Sequence, residues 1–169
     1  PLKQAGNWGG IVVMGCLVDL TTGPGHYMAL FHDDGRFFTE EGKRQDPVEF
    51  KLFTTFSEDG GLTWSFPKTI WQGTDVHLCE PGAIRSPDGK QIAVLLRENR
   101  RVKNSHVIFT NDEGQSWSVP RELPASLTGD RHTGKYAPDG RLFLSFRDTT
   151  LESKTAGDWV AWVGTYEDI

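Results

Sequence analysis

The sequence predicts an all-β protein built from short antiparallel strands, with about three four-stranded blades of the β-propeller type. One observation is a turn motif, [Ser/Thr]-x-Asp-x-Gly-x-[Ser/Thr]-Trp, which occurs at residues 57–64 and again 53 residues later at 110–117. Another is that short runs rich in β-branched and aromatic residues alternate with turns that contain glycine or proline. No segment shows helical spacing over a useful length. Four short strands in each unit of about 50 residues are typical of a propeller blade.

Other residues recur with a similar period. Pro67 is followed by Pro120 after 53 residues, and Asp88 by Asp139 after 51 residues. The second strands of the three units also align, because they end in similar dipeptides. These dipeptides are His32-Asp33, Arg97-Glu98 and Arg147-Asp148.

The first predicted blade covers approximately residues 8–73. Its run at 9–20 is rich in Val, Ile and Leu and predicts a buried strand, which a glycine- and proline-containing turn follows. The polar segment 33–47 is longer than a hairpin needs, and such loops often carry function. The other strands of this blade are predicted at 27–32, 50–56 and 64–71, the last in an edge position because it contains Pro67.

Two further blades are predicted at approximately 78–124 and 131–169, the last of them incomplete. Each begins with a hairpin, whose turn is Ser86-Pro87-Asp88-Gly89 in one and Pro138-Asp139-Gly140 in the other. Strands are predicted at 81–85, 91–97 and 105–110, at an edge strand containing Pro120, and at 134–137, 141–146 and 159–166.

The repeated turn motif has a structural explanation. The carboxylate of Asp59 or Asp112 can accept hydrogen bonds from backbone N–H groups of its own turn, and the glycine two residues later supplies a left-handed backbone. The closing tryptophan buries a large surface. A calcium loop is the alternative, but the motif lacks the bidentate glutamate that such a loop needs. We therefore expect both motifs to staple the blade hairpins.

Composition excludes several classes of function. The net charge of −5, without a basic tract, argues against binding to nucleic acid. The longest apolar run, at residues 11–20, is interrupted by Gly15 and Asp19 and is much shorter than the ~20 residues that span a bilayer. We therefore expect a folded globular protein without a membrane span.

The cysteines and histidines do not indicate a metal site. Cys16 and Cys79 are the only cysteines, and they form no CxxC motif. Two buried small apolar residues are the simplest interpretation, with a disulfide or a metal site as alternatives. The five histidines are scattered without ligand spacing, so no metal or other cofactor is expected.

Both turn motifs resemble the Asp-box (BNR) repeats of the sialidase (neuraminidase) superfamily, whose members are six-bladed β-propellers. Asp-boxes also occur in noncatalytic propellers. Because six blades of about 50 residues need roughly twice this length, the resemblance implies a partial chain. It also implies a secreted or periplasmic protein, although this chain contains no signal peptide.

The segment from Glu80 to Arg97 resembles the sialidase stretch in which a glutamate opens a blade and an arginine ends the next strand. The resemblance implies that Glu80 is the base partner of a tyrosine nucleophile. It also implies that Arg97 belongs to a trio of arginines that bind the sugar carboxylate. Residue chemistry is compatible with both roles, since guanidinium groups bind carboxylates in a bidentate manner and a buried glutamate can accept a phenol proton. The alternative is a simple salt bridge between the two residues.

Two further arginines are candidates for substrate binding. Arg147 occupies the position of Arg97 one unit later, so it is expected to face the same central cleft. Its structural alternative is an ion pair with Asp148 or Asp130. Arg131 lies at the start of the third blade, as Glu80 lies at the start of the second. The repeat would therefore bring Arg131 to the same edge of the cleft.

The first blade contributes candidates from the equivalent position and from its long loop. His32 and Asp33 hold the place of the arginine and its acidic neighbour, so we predict that they bind substrate. Asp33, Asp34 and Asp46 are candidates for a general acid, if burial raises the pKa of one of them. The alternative is that they are solvated loop charges.

The sequence also departs from the sialidase pattern. Tyr27, Tyr136 and Tyr166 fall at other positions of their strands than the family nucleophile. The strand expected to carry a third arginine, at residues 159–166, contains none.

The sequence thus predicts a sialidase-like glycoside hydrolase that removes a terminal acidic sugar from glycans and is inactive as this chain alone. A noncatalytic carbohydrate-binding propeller and a simple interaction platform are the alternatives. Since open sheet edges recruit strands, we expect self-association if the chain is the whole polypeptide.

Overall fold

A computed structural model describes residues 15–35 and 46–169 of the chain. These ranges contain eleven β-strands and two short 3-10 helices, Ala125–Leu127 and Tyr166–Asp168, so the all-β prediction is confirmed. Part of the strand predicted at 9–20 and most of the loop predicted at 33–47 lie outside the described residues. No helix within the described ranges has the length and apolar character needed to cross a membrane.

The strands form three antiparallel sheets of four, four and three strands, in which neighbours along the chain pair with each other. The first sheet contains β1 (Cys16–Asp19), β2 (Tyr27–Asp33), β3 (Phe50–Ser57) and β4 (Lys68–Gly73). The second contains β5 (Leu78–Arg85), β6 (Ile92–Glu98), β7 (His106–Thr110) and β8 (Arg121–Glu122). The third contains β9 (Gly129–Tyr136), β10 (Leu142–Asp148) and β11 (Trp159–Gly164), with β10 in the middle.

The chain divides into two compact units, Pro1–Cys79 and Glu80–Ile169. In the first unit, β2 lies between β1 and β3 and buries almost every side chain. Phe31 stacks on its cross-strand partner Phe53 with ring centroids 5.2 Å apart. Because aromatic cross-strand pairs stabilise antiparallel sheets, this pair helps to fix the register of β2 against β3.

The second unit buries one apolar core between its two sheets. Side chains alternate between the two faces of a strand. One face of β6 therefore brings Leu95 into this core, and one face of β10 brings Leu142, Leu144 and Phe146 into it. Burial of side chains of this size contributes about 1.5–3 kcal/mol each. The packed core therefore holds the ends of β6, β9 and β10 in fixed positions.

Both turn motifs contain the hydrogen bonds that the residues predict. Thr63 donates to the Asp59 carboxylate through its backbone N at 2.9 Å and through its hydroxyl at 2.6 Å. Gly61 N donates to Ser57 Oγ at 2.9 Å, and Trp64 Nε1 donates to Gly61 O at 3.0 Å. Trp64 is less buried than expected, since 38% of it is exposed. The second motif repeats these bonds through Thr110, Asp112, Gly114, Ser116 and Trp117.

The fourth strand of the first sheet begins later than predicted. β4 starts at Lys68 rather than at residue 64. The backbone of Ser65 is used by the preceding turn, where Ser65 N donates to Phe56 O at 2.8 Å and Ser65 O accepts from Thr55 Oγ1 at 2.6 Å. Pro67 has no N–H to add to the ladder, so the strand forms only beyond it.

The first strand of the third sheet begins earlier than predicted. β9 starts at Gly129 rather than at residue 134, and it contains a β-bulge. Ser145 pairs with Thr133 and Arg147 pairs with Asp130, so β9 has one extra residue across this interval. The sequence pattern missed the strand there because a bulge interrupts the alternation of buried and exposed residues.

Candidate functional site

Glu80 and Arg97 form an ion pair in the second unit. Arg97 Nη1 donates to Glu80 Oε1 at 2.8 Å, and the two side chains are only 18% and 15% exposed. Glu80 lies near the start of β5, and Arg97 is the penultimate residue of β6. The salt bridge that the sequence left open as an alternative is therefore present. It places a carboxylate and a guanidinium side by side at one end of the second sheet.

Asp130, near the start of β9, connects this pair to the third sheet. Its carboxylate is 1% exposed and meets three guanidinium groups. Arg97 Nε lies 3.1 Å from Asp130 Oδ1, and Arg101 Nη2 lies 3.1 Å from Oδ2. Arg147 donates to Oδ2 through Nε at 2.9 Å and also through Nη2. The pairing of Arg147 with Asp130, the structural alternative for this arginine, is thus present.

Arg131 completes the group, which we call the arginine cluster: Glu80, Arg97, Arg101, Asp130, Arg131 and Arg147. Arg131 Nε lies 4.0 Å from Glu80 Oε1. Four positive and two negative formal charges give the cluster a net charge of +2. Asp130 is buried and Glu80 is mostly buried, whereas the side chains of Arg131, Arg147 and Arg101 are 77%, 47% and 43% exposed. The side of the cluster that faces solvent is therefore cationic.

Three residues of the cluster have a left-handed backbone. Glu80 has φ of 49°, Arg101 has φ of 57° and Arg131 has φ of 58°. Side chains other than glycine rarely adopt this conformation, and it costs about 1–3 kcal/mol where the fold imposes it. Arg131 lies in the bulge of β9, and a bulge redirects the side chains of its strand. Strained backbone of this kind is concentrated at functional sites.

Arg101 is the cluster member that the sequence interpretation missed. It follows β6 in a tight turn with φ of 57°, and Arg101 N donates to Glu98 O at 3.3 Å. The Glu98 carboxylate holds the same turn by accepting from the backbone N of Arg100 and of Val102, both at 3.1 Å. The turn folds back, so that the arginine reaches Asp130. The signal in the sequence was the Arg100-Arg101 pair directly after this strand.

The acidic residue at the end of each second strand has a common structural role. Asp33 Oδ1 accepts from Gly35 N at 2.9 Å, as Glu98 accepts from its own loop. Asp148 accepts from Thr150 N at 2.8 Å and from Ser153 Oγ at 2.5 Å. Burial alone would raise the pKa of Asp148, but these bonds outweigh it and lower the pKa to about 2. In all three sheets the carboxylate at the end of the second strand organises the loop that follows that strand.

The structure brings together Glu80, Arg97, Arg131 and Arg147, all in the second unit. His32 and Asp33 lie in the first unit, where both are buried. The ring of His32 stacks on Phe50 at 6.3 Å between centroids. Of the other general-acid candidates, Asp34 is buried and Asp46 is exposed. The roles proposed for these first-unit residues stay predictions.

His132 lies beside the cluster as a structural residue. Its Nε2–H donates to Leu127 O at 2.8 Å, and its ring lies against that of Phe146 at 4.9 Å between centroids. Burial lowers the pKa of His132 to about 4. The imidazole is therefore neutral at physiological pH and adds no charge to the cluster.

Two of the tyrosines make structural contacts at the other end of β5. Tyr136 donates to Arg85 O at 2.9 Å, and Tyr166 donates to Gln91 Oε1 at 3.0 Å. Burial raises the pKa of both hydroxyl groups. Neither environment favours a phenolate nucleophile.

The described residues offer no cluster of three or more histidine, cysteine, aspartate or glutamate side chains that could hold a metal ion. Cys16 and Cys79 are both thiols rather than half-cystines.

No protein-family model and no curated protein matches the sequence. Among solved structures, the chain is similar to a protein of unknown function from Dyadobacter fermentans DSM 18053, with 19% identity and a TM-score of 0.66 over 89% of this chain and 37% of that one. It also matches the Hadza microbial sialidase Hz136, with 18% identity and a TM-score of 0.47 over 83% of this chain and 31% of that one. The chain thus spans about a third of the length of both structures. The likeness to the Dyadobacter protein concerns the fold alone.

Proposed function

We propose that the arginine cluster binds the carboxylate of an acidic sugar, as part of a sialidase-like glycoside hydrolase that removes terminal acidic sugars from glycans. In this proposal the three sheets are blades of a six-bladed propeller. The observation that carries the proposal is the solvent-facing excess of guanidinium groups beside the mostly buried Glu80. A secreted or periplasmic location, where such glycans are found, belongs to the same proposal.

The geometry suggests a division of roles among the arginines. Arg131 and Arg147 offer exposed guanidinium groups, which can bind a carboxylate through two parallel hydrogen bonds. Arg97 is mostly buried and bonded to Glu80, so it would orient that carboxylate. Glu80 would then accept the proton of a nucleophile from outside the second unit. The nucleophile and the general acid are both required from elsewhere in the protein.

A second candidate is a noncatalytic propeller that binds acidic glycans. The environments of Tyr136 and Tyr166 favour it, because both hydroxyl groups are committed to structural hydrogen bonds. This candidate uses the same guanidinium groups and differs only in the lack of a nucleophile.

Hydrolysis of a fluorogenic sialoside by the full-length protein distinguishes the hydrolase from the noncatalytic binding protein. For the hydrolase, Glu80→Gln should lower kcat by about 10²–10⁴-fold, because a positioned base contributes that much. Glu152→Gln, in an exposed loop, is the matched control and should leave kcat unchanged.

Binding of sialyllactose, measured by calorimetry, completes the design. Saturable binding that Arg147→Ala weakens, without turnover in the unsubstituted protein, would support the binding module. A protein that neither binds nor hydrolyses any sialoside would contradict both candidates.

A further inference from the structure

We propose that Asp130 is an internal anion. Its carboxylate occupies the inner position of an anion-binding site formed by three guanidinium groups, so that small free anions are excluded from that position. The three groups belong to Arg97, Arg101 and Arg147. This inference concerns the chain itself and holds whether or not the protein acts on acidic sugars.

The contacts of Asp130 are those that an external carboxylate would make. One oxygen faces Arg97 Nε at 3.1 Å, and the other accepts from Arg147 Nε at 2.9 Å and lies 3.1 Å from Arg101 Nη2. The carboxylate is 1% exposed, whereas a carboxylate that merely balanced surface charge would be hydrated. Convergence of several guanidinium groups on one carboxylate is a typical mode of anion recognition.

The backbone that carries each of the three arginines is positioned without the Asp130 side chain. Arg97 is held by Glu80 at the end of β6, and Arg101 by the turn that the Glu98 carboxylate organises. Arg147 is placed by the ladder of the third sheet. We therefore expect the three guanidinium groups to stay near the inner position when the Asp130 carboxylate is removed.

Removal of that carboxylate leaves positive charge that an external anion can neutralise. Three guanidinium groups would then carry more positive charge than the neighbouring Glu80 carboxylate balances. Partly buried cations without a counter-charge are costly, and a small anion that enters relieves this cost. Formate matches the group removed by Asp130→Ala, and sulfate can accept from all three guanidinium groups.

The internal anion also determines which ligands the natural site accepts. Since the inner position is filled, a ligand carboxylate can engage only the outward groups, chiefly those of Arg131 and Arg147. A small anion can still contact these exposed groups, but it cannot reach the inner position where three guanidinium groups converge. Asp130 is thus a specificity-determining residue, which keeps sulfate and phosphate out of the inner position without touching a larger ligand.

Thermal unfolding of the full-length protein in sodium formate, sodium sulfate or sodium chloride of equal ionic strength tests the proposal. Asp130→Ala should unfold at a lower temperature than the natural protein in chloride. Formate or sulfate should raise its midpoint by about 3 °C or more relative to chloride, in a saturable manner. The natural protein should show no difference between formate and chloride.

Asp139→Ala is the matched control. Asp139, in the turn between β9 and β10, also pairs with an arginine but is exposed. This variant should show no saturable shift with formate or sulfate, because the general stabilisation of folded proteins by sulfate does not saturate. Asp130→Ala should gain sulfate affinity at least tenfold by calorimetry. Asp130→Asn keeps the shape of the side chain and so keeps the inner position filled, and it should gain less. If Asp130→Ala is insoluble, refolding yields with and without formate give the same comparison.

Two results would overturn the proposal. One is an Asp130→Ala protein that responds identically to formate, sulfate and chloride and gains no affinity for sulfate. The other is a natural protein that is stabilised by formate as strongly as the alanine variant, because the inner position would then be open.

Discussion

Glu80 and Arg131 lie 51 residues apart, at equivalent positions of consecutive repeats, and both have a left-handed backbone. The two side chains approach each other, with Arg131 Nε 4.0 Å from Glu80 Oε1. A conformation that costs free energy therefore occurs at the same position of two consecutive repeats, and both residues belong to the arginine cluster.

Paired substitutions of Arg131 separate backbone strain from charge. Arg131→Ala and Arg131→Gly both remove the guanidinium, but only glycine adopts positive φ without strain. The glycine variant should therefore be more stable than the alanine variant by about 1 kcal/mol in urea unfolding. Loss of the exposed guanidinium itself should cost little stability, since surface ion pairs contribute little.

Ligand binding provides the second measurement on the same pair. Both variants should lose affinity for an acidic sugar to the same extent, because both lack the guanidinium. Equal stability of the two variants would show that residue 131 is not strained.

Gly82 allows β5 to approach the backbone of β9. A Cβ at this position would lie 2.2 Å from His132 O, a backbone atom that cannot move alone. We expect Gly82→Ala to cost about 1–3 kcal/mol in the free energy of unfolding and to disturb the nearby Glu80–Arg97 pair. Gly89→Ala is the comparison, because Gly89 has positive φ but open space around it. It should cost only about 1 kcal/mol, and a Gly82 variant as stable as this one would refute the close approach.

The Asp112 turn motif should make the free energy of unfolding depend on pH in the acid range. Hydrogen bonds, above all from the Ser116 hydroxyl, lower the pKa of Asp112 from 3.8 to about 2. A carboxyl whose pKa is lower in the folded state stabilises the fold above its unfolded pKa and loses this contribution as pH falls through the folded value. The stability difference between the natural protein and Asp112→Asn should therefore shrink as pH is lowered from 5 to 2. Urea unfolding at several pH values measures it, and a difference that does not change with pH would count against the pKa shift.

The Asp148 carboxylate should control the loop between β10 and β11. Asp148→Asn removes a charged acceptor of bonds from Thr150 N, Ser153 Oγ and Thr155 Oγ1. A loss of about 1–3 kcal/mol is expected, since hydrogen bonds to a charged acceptor contribute more than hydrogen bonds to an amide. The amide of Thr150 should exchange faster with solvent, which hydrogen exchange detects. Asp158→Asn, exposed in the same loop, should change neither quantity.

Much of the fold could be predicted because its causes are local. The period of two in β6 and β10 places Leu95, Leu142 and Leu144 inside, and the turn chemistry of Asp59 and Asp112 depends on residues within eight positions. The bulge at Arg131 and the late start of β4 were missed, because an extra residue or a turn-bound serine breaks the alternation that identifies a strand.

The candidate site, like the fold, could be predicted from the sequence only in part. The sequence by itself determined the repeat period, the all-β class and the equivalence of Arg97 with Arg147. Only the tertiary structure decided that both arginines meet on Asp130, and that Arg101 joins them through a left-handed turn. The physical reason is that these contacts join residues far apart in the chain, and packing of the second sheet against the third brings them within hydrogen-bonding distance. A local pattern predicts which face a side chain lies on, whereas a packed core determines which charge it meets there.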